Sequence, residues 1–93
     1  MTAVEKLLNK NLEGKFICVG LDTDISKIPI HLSSASNPIL EFNQAIINST
    51  KNAAAAYKIN FAFYEKDGEK GLKNLSETIG IIPSNTLIIA DAK

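Results

Sequence analysis

Three short apolar runs, Phe16–Leu21, Ala55–Ile59 and Leu87–Ala90, alternate along the chain with stretches whose apolar residues recur at helical spacing. The third is too short for a helix; in the second, Ala53 to Ala56 would also suit a helix, and the alternation of Tyr57-Lys58-Ile59-Asn60-Phe61 places a strand there. The first and third are so continuously apolar that they read as strands buried on both faces, as in a parallel sheet. Strands separated by helices imply parallel pairing with right-handed crossovers, which places the chain in the α/β class. With 93 residues there is room for one small domain at most.

The segments between the runs carry their own punctuation. Thr2 followed by Glu5 has the form of a capping box, Val4, Leu7, Leu8 and Leu12 give a first helix its apolar stripe, and Gly14 ends it. Asn37-Pro38 is a helix start and Glu41 adds a favourable charge in the early turns. Ile39, Phe42, Ile46 and Ile47 supply a face that can pack on a sheet, and this helix fades near Asn52. Asp67 opens a third helix with Leu72, Leu75 and Ile79 inward and Gly80 as its stop. Gly68 and Gly71 weaken that helix, and their spacing does not make a phosphate loop. Phe61, Phe63 and Tyr64 are expected to pack a loop and the following helix. Cys18, inside the first run, reads as a small buried apolar residue. The polar stretch from Thr23 to about Asn37 is longer than most connections and suits a functional loop. His31 lies within it with no partner at useful spacing, and reads as a surface residue.

The chemistry is concentrated where the runs end. Asp22 follows the first, Lys58 and Asn60 close the second, and Asp91 and Lys93 close the third. Side chains alternate faces along a strand, so Lys58 and Asn60 share one side, as do Asp91 and Lys93. In parallel α/β architectures chemistry gathers at the C-terminal ends of strands. A single ion pair at a strand end would be unremarkable; three such ends in one chain favour a site. Lys93 beside Asp91 is expected to stay protonated, which suits a proton donor better than a Schiff-base nucleophile. The carboxylates would oppose an anionic substrate group, by roughly 4 kcal/mol at about 4 Å and an effective dielectric near 20. Relief of that repulsion as a carboxylate departs favours the transition state over bound substrate.

Bulk composition excludes several partner classes. Acids and bases balance at ten each, leaving no global field to draw in nucleic acid or an anionic membrane. Every base is lysine, so the usual bidentate arginine clamp for phosphate is not in these residues. One cysteine cannot make a disulfide within the chain and fits a reducing, cytoplasmic setting. Met1 to Lys6 leads into no long apolar run, so neither a signal peptide nor a membrane span is expected there.

Phe16-Ile17-Cys18-Val19-Gly20-Leu21-Asp22, Tyr57-Lys58-Ile59-Asn60 and Ile89-Ala90-Asp91-Ala92-Lys93, in that order and spacing, resemble the first three strands of orotidine 5′-monophosphate decarboxylases. The Gly20-Leu21-Asp22-Thr23-Asp24 run and Asn60-Phe61-Ala62-Phe63-Tyr64-Glu65 are similar to the bacterial type 2 group. The resemblance implies the first three β-α units of a (β/α)8 TIM barrel, with residues 1–93 as the N-terminal part of a single decarboxylase domain. It implies conversion of orotidine 5′-monophosphate to uridine 5′-monophosphate in pyrimidine synthesis, with no metal or organic cofactor, in a homodimer with shared sites. In this likeness Asp22 and Lys58 contact the ribose and orient the cluster, with Asn60 also on the substrate side. Asp91 faces the substrate carboxylate, and Lys93 protonates C6. A barrel of this type takes about 250 residues, so the groups gripping pyrimidine and phosphate are expected outside these 93, and this stretch alone is expected to be inert. Two other readings fit the same residues. One is a magnesium-dependent barrel of the hexulose-phosphate synthase or keto-gulonate-phosphate decarboxylase kind, which carries an acid where Lys58 stands. The other is a non-catalytic β-α interaction domain.

Overall fold

A computed structural model describes residues 1–22, 28 and 37–91. Its elements run α1 (Ala3–Leu12), β1 (Ile17–Gly20), α2 (Pro38–Thr50), β2 (Ala54–Asn60), α3 (Phe61–Glu65), α4 (Gly68–Ile81) and β3 (Leu87–Asp91). The strands form one sheet in the order β1-β2-β3, parallel throughout. His31 and most of the polar connection lie outside the described residues, as does Lys93.

Local chemistry sets the helix ends. Thr2 Oγ1 accepts the Glu5 amide at 3.1 Å, satisfying a donor that the first turn of α1 would leave open, and Gly14 at φ +82° turns the chain away after the last turn. Asn37 caps α2 by accepting the Leu40 amide at 3.4 Å. Its side-chain nitrogen also donates to Asn74 Oδ1 at 2.7 Å, tying the start of α2 to α4.

β2 is the central strand, and its alternation divides the sheet into two unlike faces. Tyr57 and Ile59 are fully buried against the helices, where the Tyr57 hydroxyl meets Thr50 Oγ1 at 2.8 Å and donates to the Ile47 carbonyl at 3.4 Å. Around them gather Leu21, Ile28, Ile39, Ile47, Tyr64, Leu75 and Ile82. By the same alternation Ala56, Lys58 and Asn60 look the other way. The register then adds Cys18 and Gly20 from β1, and Leu87, Ile89 and Asp91 from β3, to that second face.

Several expectations need correction. β1 and β3 are not buried on both faces: Ile17 is 59% exposed and Ile89 42%. Cys18 is exposed as well, not a buried apolar residue. Both strands are edges of a three-stranded sheet, and Cys18 and Ile89 lie on the face turned away from α2 and α4. The stripe on α1 is also open, with Val4, Leu8 and Leu12 exposed. In α4, Leu75 is buried but Leu72 is not, and the helix runs through Gly80 to Ile81. α2 ends at Thr50, two residues before Asn52.

Two features had no counterpart in the periodicity. Phe61–Glu65 is a short helix entered directly from β2, with Asn60 Oδ1 accepting the Ala62 amide at 3.0 Å as its cap. Tyr64 is buried in the core, as its aromatic character suggested. Gly71 is required where α4 passes α3, because a Cβ there would run into the carbonyl oxygen of Tyr64.

Candidate active site

Pairing between β2 and β3 places Asn60 opposite Asp91 and Lys58 opposite Ile89. On a common face a side chain as long as lysine reaches its diagonal neighbour, and the Lys58 ammonium lies 3.8 Å from Asp91 Oδ2. The Asp91 side chain is mostly enclosed at 16% exposure, whereas Lys58 retains 45%. An ion pair at that separation, half in solvent, contributes little to stability. The pair sets the ammonium beside Asp91 at the C-terminal edge of the sheet.

Asp22 arrives at the same edge by another route. It lies just past β1, and its Oδ1 accepts the backbone amide of Asn60 at 2.9 Å. Lys58 therefore does not stand between Asp22 and Asp91 at hydrogen-bonding distance from each. The ammonium pairs with Asp91 alone of the two, at ion-pair rather than hydrogen-bond distance, while Asp22 is occupied by a backbone donor. The physical reason is geometric. The Leu21 amide is the last on this side to keep the ladder, and beyond it the Asp22 carboxylate takes the Asn60 amide.

Four of the five residues singled out at the strand ends, Asp22, Lys58, Asn60 and Asp91, thus converge on one edge of one face. Lys93 lies outside the described residues. Among the described residues this edge carries two carboxylates and one ammonium, and no three His, Cys, Asp or Glu side chains cluster as a cation site would require. A cavity of about 310 Å³ lined by Ile39, Asp67, Lys70 and Asn74 belongs to the helix layer and includes none of the strand-end residues. No described helix is long and apolar enough to cross a membrane.

Behind the edge stands a buried polar network that the sequence reading missed. The Tyr64 hydroxyl donates to the Leu21 carbonyl at 2.6 Å, and Asn43 Nδ2 donates to Tyr64 Oη at 2.9 Å and to Thr78 Oγ1 at 3.0 Å. The available signal was weak: Asn43 is a lone polar residue between Ile39 and Ile47 on the buried face of α2, and Thr78 shares the buried face of α4 with Asn74.

Comparison with known proteins bears on what this edge is for. No protein-family model matches the chain. Over 91 residues it is 50% identical to the orotidine 5′-phosphate decarboxylase of Parabacteroides distasonis, a match covering 92% of the chain and 32% of that protein. Over 92 residues it is 48% identical to the enzyme of the same name from Flavobacterium johnsoniae, covering 96% and 33%. The chain is homologous to the orotidine 5′-phosphate decarboxylases. It spans about a third of the length of the decarboxylases it matches. The solved structure of Leishmania donovani OMP decarboxylase superposes with a TM-score of 0.78 at 31% identity, covering all of the chain and 34% of that protein. The UMP synthase of the same organism superposes at 0.75 with 34% identity, covering 94% and 18%. The three parallel strands and their helices accordingly match three β-α units of a (β/α)8 barrel such as that OMP decarboxylase has.

Proposed function

We propose that the strand-end cluster is the acid–lysine portion of a metal-independent orotidine 5′-phosphate decarboxylase. The observation that carries this reading is the Lys58–Asp91 pair, set by the β2–β3 register on the same edge as Asp22 in a chain half identical to named decarboxylases. Asp91 faces the C6 carboxylate of the substrate. The two negative groups repel, and the repulsion is relieved as the bond from C6 to the carboxyl carbon breaks and carbon dioxide departs. The electron pair stays on C6 and takes a proton from Lys93, two positions after Asp91 in the sequence, leaving uridine 5′-phosphate and a neutral amine that water reprotonates. Asp22 and Lys58 hold the ribose hydroxyls, and Asn60, on their face, lines the substrate side.

Lys58 supports this reading over that of a metal-dependent relative. Its ammonium offsets one of the two carboxylates, whereas an acid at position 58 would put three hard oxygen donors at one edge. The reading extends to a cytoplasmic homodimer with shared sites, for which sedimentation of the full-length protein with and without a product analogue is the check. The reaction itself is tested with the full-length protein by release of carbon dioxide from carboxyl-labelled orotidine 5′-phosphate. Lys93→Ala is expected to abolish turnover while leaving the far-UV circular dichroism spectrum unchanged. Turnover near the wild-type rate in that variant would remove Lys93 from the chemistry.

A further inference from the structure

The hydrogen bonding at the end of β1 departs from the parallel ladder at one point. The Leu21 amide donates to the Lys58 carbonyl at 2.9 Å, as the ladder requires. In a regular parallel pair the Leu21 carbonyl would then accept the amide of Asn60. Instead it takes the Tyr64 hydroxyl at 2.6 Å, and the Asn60 amide turns to Asp22 Oδ1 at 2.9 Å. One backbone bond has been exchanged for two side-chain bonds. The exchange is held from behind: Tyr64 is 1% exposed, and Asn43, fully buried, fixes its hydroxyl while also bonding Thr78 on α4. A buried carbonyl needs a donor, and a buried phenol needs an acceptor. Each supplies the other, and with the Leu21 carbonyl directed at Tyr64 the Asn60 amide bonds Asp22 Oδ1.

We propose that Tyr64 is a positioning residue for Asp22: by drawing the Leu21 carbonyl out of the ladder, it leaves the Asn60 amide to the Asp22 carboxylate and fixes that carboxylate at the substrate edge. This rests on Asp22 being a substrate-binding group, as proposed above. In Tyr64→Phe the Leu21 carbonyl loses its donor and recaptures the Asn60 amide, releasing Asp22. The same substitution takes the Tyr64 oxygen from Asn43, which keeps Thr78 Oγ1 as an acceptor, so a stability loss accompanies the release of Asp22 and the cycle with Asp22→Ala separates the two.

The test is a double-mutant cycle on the full-length protein, pairing Tyr64→Phe with Asp22→Ala and reading two quantities. The first is the Asn60 amide resonance. Asp22→Ala should shift it strongly when Tyr64 is present and leave it unmoved in the Tyr64→Phe background. The second is kcat/KM for orotidine 5′-phosphate. Tyr64→Phe should lower it about tenfold, mostly through KM, when Asp22 is present and less than about twofold when Asp22 is already alanine, since the lost group acts through Asp22. Equal shifts of the Asn60 resonance in both backgrounds, or strictly additive losses of kcat/KM, would overturn the proposal and leave Tyr64 a structural residue. Should Tyr64→Phe not fold, the scalar coupling across the Asn60 hydrogen bond in the unmutated protein decides. Coupling to the Asp22 carboxyl carbon is expected, and coupling to the Leu21 carbonyl carbon overturns the proposal. Absence of any orotidylate turnover in the unmutated protein would refute the decarboxylase reading, while the resonance arm would still judge the role of Tyr64 on Asp22.

Discussion

Lys58 and Asp91 show how little energy is needed to give a site its geometry. A half-exposed pair 3.8 Å apart adds next to nothing to folding, yet it sets an ammonium beside Asp91 at the edge of the sheet. Lys58→Ala should therefore leave the thermal transition almost unmoved while lowering kcat/KM for orotidine 5′-phosphate about 100-fold or more, as loss of a preorganised charge does. A change below threefold in steady-state assays would show that the ammonium only decorates the edge. The buried network behaves oppositely. Thr78→Val removes an acceptor from Asn43 in a fully buried setting, and should cost about 1–3 kcal/mol, read as a lower urea midpoint at constant m. The charged edge was legible in the sequence because strand alternation alone says which of Lys58, Ile59 and Asn60 share a side. The network was not, since Asn43 finds Tyr64 and Thr78 across 21 and 35 residues, and nothing local to any of the three marks the meeting.

At the scale of elements, apolar continuity marked β1 and β3 and overstated their burial, while alternation marked β2. A run such as Ile17-Cys18-Val19 is buried on both faces only when both faces are covered. Here α2 and α4 cover one, and β1 and β3 each have a strand on one side alone. α3 escaped notice because its five residues begin where β2 stops, with no turn residue between them and Asn60 serving both elements. Gly71 is the sharpest test of how α3 and α4 meet. Helix propensity alone says that Gly71→Ala stabilises α4 by up to about 1 kcal/mol. The close approach of the Tyr64 carbonyl reverses the sign, and a loss of about 3 kcal/mol or more is expected from denaturant melts. A stabilised variant would show that α4 does not pass α3 at that point.

Taken whole, the described residues are a barrel segment with one finished side. Helices close the face of Tyr57 and Ile59, whereas Phe16, Ile17 and Ile89 on the sheet, and the stripe of Val4, Leu8 and Leu12 on α1, remain exposed. That amount of open apolar surface, together with two unpaired strand edges, favours association. Residues 1–93 expressed alone should self-associate in sedimentation and release no carbon dioxide from orotidine 5′-phosphate; a cooperative, active monomer would contradict the barrel-segment account. In the function proposed above, the edge formed by Asp22, Lys58 and Asp91 decarboxylates its substrate through its own charges. The direct measurement is the initial rate of carbon dioxide release from orotidine 5′-phosphate by the full-length protein before and after exhaustive chelation. An unchanged rate is predicted; a rate that collapses and returns on adding magnesium would contradict it.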